Sequence, residues 1–98
     1  MLVITFDEAL TIDATSCCDE QPGPNVLRPG INGPGGGRTG AVVLSPFVKP
    51  GTVSNTPYNH YAFLKTVEDL FGLDHLGYAG RKGLTAFGAD VFTANDRR

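Results

Sequence analysis

Leu2-Val3-Ile4-Thr5-Phe6-Asp7-Glu8 opens the chain with an apolar run that stops on two acids. The run is rich in β-branched and aromatic residues and lacks regular polar alternation, so it reads as a strand buried on both faces. Ala41-Val42-Val43-Leu44, set between Gly40 and Pro46, reads the same way. Strands of this kind belong in the middle of an α/β sheet with helices on both sides, because a face that met water would alternate.

One helix is well signalled. From Asn59 to Phe71, the residues Phe63, Leu64, Val67, Leu70 and Phe71 recur at helical spacing, and Lys65, Thr66, Glu68 and Asp69 take the other side. Asn59 is placed to cap the start, and Gly72 stands where a left-handed C-terminal residue is wanted, with Leu73 positioned to fold back. Beyond it, Leu76, Tyr78, Leu84, Phe87, Val91 and Phe92 lie among glycines, which suggests an irregular tail packing over a larger body. Two strands, one helix and a long connection from Asp7 to Thr39 do not close a core, so the chain is expected to be part of a larger fold. The competing reading is a small α+β domain whose tail supplies a further element.

Ninety-eight residues correspond to about one small domain, and the composition is 41% hydrophobic and 18% charged with a net charge of −2. No apolar run approaches the roughly 18 residues of a membrane span. The eight basic residues are scattered rather than striped, which argues against nucleic acid as a partner. Seven of the 13 glycines and four of the seven prolines fall between Pro22 and Gly40, so one long irregular loop accounts for the bias. Cys17 and Cys18 are adjacent, and a bond between them is expected to be unfavourable because bridged residues usually have Cα atoms further apart. Met1 leads straight into Leu2–Phe6 with no basic region and no small-residue cleavage site, so no signal peptide is read.

Three places could carry chemistry. Asp7 and Glu8 stand where a buried strand leaves its sheet, the edge at which α/β folds collect ligands, and two neighbouring carboxylates suit a hard or borderline divalent cation. Water-facing acids at a strand end are the plainer reading. His60 follows the N-cap, where a neutral imidazole can ligate a metal or hydrogen-bond an anion, or serve as a structural donor. Gly35-Gly36-Gly37-Arg38 offers free backbone amides and a guanidinium fork, but the Lys-Ser/Thr ending of a phosphate loop is missing and a strand follows instead of a helix. It is either a flexible entry into the strand or a loop that lines a substrate. No serine or threonine stands in a nucleophile elbow or beside an evident base, and none is nominated as catalytic.

Taken in order, Leu2–Ala9, Gly35–Gly51 and Tyr58–Leu73 resemble the carboxy-terminal part of bacterial phosphoesterases. That family includes phospholipase C and acid phosphatase type enzymes of the alkaline-phosphatase-like superfamily. There a central strand ends in an acidic residue with a second ligand, a following strand leads into a Ser-Pro or similar turn, and a histidine opens the next helix. Asp7 with Glu8, Ser45-Pro46 and His60 hold those places here.

The resemblance implies a partial three-layer α/β sheet: two central strands, one amphipathic helix and an irregular tail. It also implies hydrolysis of a phosphate ester assisted by a divalent cation, with Zn, Ca, Mg and Mn all compatible. Asp7 would ligate the metal, Glu8 would stand at the position where relatives often carry Asp or His, and His60 would hold a second metal position or bond the phosphoryl group. Arg38 would face the substrate. The family's nucleophile and first metal-binding acid belong to an amino-terminal half, so residues 1–98 are expected to be a carboxy-terminal segment, inactive by itself and able to associate with that half. Relatives are often secreted or periplasmic. The alternative is a non-catalytic accessory module that associates with a partner chain through its apolar strands.

Overall fold

Both apolar runs are strands, and they pair with each other: β1 (Leu2–Thr5) lies antiparallel to β2 (Ala41–Leu44) with Leu2 opposite Leu44 and Ile4 opposite Val42. The computed structural model describes residues 1–23, 26–28 and 30–94 and divides the chain into two compact units, Met1–Leu44 and Ser45–Arg98. With one two-stranded sheet and one α-helix, the architecture is mixed α/β.

The strands are not buried on both faces as their composition predicts. Leu2, Ile4, Val42 and Leu44 fall on one side of the ladder and are each more than half exposed. The physical reason is local: among the described residues, the first unit holds no regular element besides these two strands to cover them.

The connection between the strands is folded back on itself rather than free. Ala9 donates its amide to the Gly36 carbonyl at 2.8 Å, Gly35 to Ala14 at 3.1 Å and Gly37 to Thr15 at 3.0 Å, so residues 9–15 and 35–37 form a hydrogen-bonded seam. The glycines permit this closeness. A Cβ at Gly35 would run into the Thr15 carbonyl oxygen, and one at Gly37, where φ is +85°, would meet the Ala9 Cβ at 2.6 Å. Of the two readings of the glycine run, a flexible entry or a substrate-lining loop, the flexible entry does not hold, because the run is packed.

In the second unit, α1 spans His60–Phe71. Asn59 accepts the Ala62 amide at 2.9 Å, and Gly72 closes the other end at φ 63°, with Leu73 donating to the Glu68 carbonyl and Gly72 to that of Asp69. The ends are as predicted; the buried face is not. Ala62, Thr66 and Glu68 are buried, whereas Leu70 and Phe71 are mostly exposed. The tail decides this, because it packs against α1 itself. Phe87 stacks on Phe63 with ring centroids 5.7 Å apart and tilts against Tyr58 at 4.8 Å. Lys65 reaches the Leu84 carbonyl at 2.9 Å, and Tyr61 meets Tyr78 edge-on where a 3₁₀ turn covers Gly77–Gly80. The Thr66 side bears on this tail, and so its polar groups go inside.

Cys17 and Cys18 are bonded to each other, against expectation. Their Cα atoms are 3.8 Å apart, as the shared peptide dictates. The chain accommodates the bond in a turn with Cys18 and Asp19 at φ 63° and 51°.

Candidate functional site

Asp7 and Glu8 follow β1 after one intervening residue, Phe6, and both are exposed. The Asp7 carboxylate accepts the Glu8 amide at 3.1 Å, which turns the backbone as it leaves the strand and holds the two acids next to each other. Both are in the first unit. They offer oxygen donors of the kind a divalent cation takes.

Arg38 is at the end of the glycine seam, its guanidinium-bearing side chain exposed. What fixes its backbone is Asp13. One oxygen of that carboxylate accepts the Arg38 amide at 3.1 Å, and the other accepts both the amide of Thr15, at 2.9 Å, and its hydroxyl. The Thr15 hydroxyl, then the Thr15 amide, then the Arg38 amide hold the Asp13 carboxyl below its usual value of 3.8. Asp13 was not singled out from sequence. The Asp-x-Thr spacing of Asp13-Ala14-Thr15, a local turn signature, is the signal that could have found it.

His60 is the first residue of α1 and is exposed, in the second unit. No acidic residue occupies the first turn of the helix, so the positive end of its dipole faces no carboxylate of its own there. Ser45 heads a tight turn, accepting the Phe47 amide on its hydroxyl at 3.2 Å and the Val48 amide on its carbonyl at 3.1 Å.

A polar cluster that the sequence does not announce joins residues 54–58 to the tail. Asp90 accepts the Ser54 hydroxyl on one oxygen and the Tyr58 hydroxyl, at 2.8 Å, on the other. The Ser54 hydroxyl chiefly lowers the Asp90 carboxyl to about 2, while burial, followed by the neighbouring Asp90, raises the Tyr58 phenol. A carboxylate that holds a proton so weakly is a poor base. The contact therefore anchors the Ser54 hydroxyl rather than activating it.

Asp7, Glu8 and His60 supply suitable metal donors, but they are distributed over two units. Among the described residues, no group of three or more His, Cys, Asp or Glu side chains could hold a metal ion. The chemistry of the donors fits a cation, but among the described residues no three of them are gathered. No helix among the described residues is long and apolar enough to cross a membrane.

The model of the Phosphoesterase family matches residues 1–74. The chain belongs to the Phosphoesterase family. Family membership thus covers β1 with Asp7 and Glu8, the glycine seam with Arg38, the Ser45 turn and the whole of α1 with His60. The phosphoesterase match stops before Phe87, which packs against α1, and before Asp90, which accepts from Ser54 and Tyr58. No curated protein and no solved structure matches the chain.

Proposed function

We propose that this chain carries the cation-binding and phosphate-binding part of a hydrolase acting on phosphate esters. The observation that carries the reading is the family match, whose span contains all four candidate residues: Asp7, Glu8, Arg38 and His60. In this reading Asp7 and Glu8 offer their carboxylate oxygens to a divalent cation, His60 is a donor to a metal or to phosphate, and Arg38 engages phosphoryl oxygens. A cation bound there would polarise a phosphoryl oxygen and stabilise the charge that develops on it. The Arg38 guanidinium offers paired donors to two phosphoryl oxygens, and its backbone is pre-set by Asp13. His60 hydrogen-bonds the phosphate at the positive end of α1. No residue is assigned as nucleophile, and the three-layer sheet of alkaline-phosphatase-like enzymes is the setting proposed for β1 and β2.

The test is metal titration of the full chain followed by NMR, with Mn²⁺ and Zn²⁺ as probes and inorganic phosphate added second. Signals of Asp7 and Glu8 should respond to the metal and lose that response in Asp7→Asn, and those of His60 should respond to metal or phosphate. No response at Asp7 and Glu8, or one unaffected by that substitution, would overturn the cation-binding reading.

A second reading, an accessory module that docks on a partner chain, is favoured by one observation: Leu2, Ile4, Val42 and Leu44 present an exposed apolar face on a two-stranded sheet. Size-exclusion chromatography separates the two readings. Concentration-dependent association abolished by Ile4→Lys, without any metal response at Asp7, supports the module.

A further inference from the structure

Cys17 and Cys18 are the chain's only cysteines, and the bond between them spans a tight turn. The Glu20 amide donates to the Cys17 carbonyl at 3.1 Å, and the central residues Cys18 and Asp19 both adopt left-handed backbone, with φ 63° and 51°. Two left-handed central residues define a turn class that ordinarily takes Asn or Gly. A Cβ disfavours that backbone at Cys18, so its side chain alone gives no reason for the turn. The covalent link to Cys17 supplies one.

A purely structural role for the bond is weak. Disulfides stabilise largely by closing long loops in the unfolded chain, and a bond between neighbours closes almost none. Both cysteines are half-buried, which leaves them open to a small thiol.

We infer that Cys17–Cys18 is a reversible thiol–disulfide site: oxidised it holds the 17–20 turn, and reduced it presents adjacent thiols that chelate a thiophilic ligand of the trivalent arsenical class. A dithiol can serve as the reductant. One thiolate of the reductant attacks a cysteine sulfur, forming a mixed disulfide and releasing the other cysteine as thiolate. The second thiolate of the reductant then displaces the remaining cysteine, leaving the reductant as its disulfide. The two protons shed by the reductant end on Cys17 and Cys18. The reduced pair condenses with an arsenoxide, forming two As–S bonds and releasing one water. This inference does not depend on phosphate-ester chemistry.

The full chain, purified without reductant, should resist iodoacetamide, gain the mass of two hydrogen atoms with dithiothreitol, and then accept two alkyl groups. Removal of dithiothreitol in air should restore the original mass without cross-linked dimers. Phenylarsine oxide should add once to the reduced chain and not to Cys17→Ser. Hydrogen exchange at the Glu20 amide should be several-fold faster in the reduced chain. Alkylation of both cysteines before reduction, interchain disulfides on reoxidation, or equal Glu20 exchange in the two states would each overturn the inference. The oxidised and reduced wild-type comparison stands even where Cys17→Ser does not fold.

Discussion

The Thr66 hydroxyl accepts the Phe87 amide at 2.8 Å while donating to the Ala62 carbonyl at 2.7 Å, tying the tail to the buried face of α1. Thr66 is itself buried, so neither partner has water as a substitute. Thr66→Val keeps the shape and removes the acceptor, leaving the Phe87 N–H unsatisfied. The expected loss is about 1–3 kcal/mol in urea unfolding, with Thr66→Ser retaining most of the stability. A Thr66→Val protein as stable as the parent would mean that the tail does not depend on this bond.

Asp90 makes stability depend on acid. Its carboxyl is lowered from 3.8 to about 2, chiefly by the Ser54 hydroxyl, so the folded state binds this proton less readily than the unfolded chain. The stabilisation is present in full above the ordinary carboxylate value and is lost as pH falls from about 4 to about 2. Asp90→Asn should flatten that part of the stability curve. Denaturant midpoints of the two proteins, measured across that window, should converge as pH falls; parallel curves would rule out Asp90 as the titrating group.

The residues that were legible in sequence are those whose partners lie within one turn. Asn59 and Gly72 fix the ends of α1 because capping chemistry is local, and the apolar content of β1 and β2 marks them as strands. Burial was less legible. Thr66 and Glu68 stand among charged residues and read as a solvent face, yet both are buried, with Thr66 bonded by Phe87 and Glu68 by Leu76 from the chain beyond the helix. Asp90 gives no local sign that Ser54 and Tyr58 will converge on it, since those contacts cross more than thirty residues. At the candidate site, Asp7, Glu8, Arg38 and His60 were readable as residue types at element ends. The Asp13 carboxylate that fixes the Arg38 backbone was not, because its link to Arg38 closes only when the glycine seam forms.

That seam makes a prediction about Arg38. Asp13→Ala removes the acceptor for the Thr15 amide and hydroxyl and for the Arg38 amide at once. Faster amide exchange is expected at Thr15, Gly37 and Arg38, while α1 in the second unit keeps its protection. Gly37→Ala should act on the same amides by a different route, since its Cβ would press on Ala9 and the backbone there is left-handed. If exchange at Arg38 is unchanged in both variants, the guanidinium is not positioned through this seam.

The start of α1 separates helix stability from phosphate affinity. Asn59 accepts the Ala62 amide from its extended backbone, and replacing it with Ala should cost about 1 kcal/mol in thermal or urea unfolding, with Asp as a substitute costing far less. Asp at this position, however, puts a negative charge where the helix dipole attracts anions. Asn59→Asp should therefore keep the helix and weaken inorganic phosphate binding at His60, as read by the backbone amide signal of residue 60 during phosphate titration. His60→Gln should weaken the same binding while leaving the unfolding midpoint nearly unchanged, because His60 is exposed and the cap is Asn59. Phosphate affinity indifferent to both substitutions would mean that His60 does not bind phosphate.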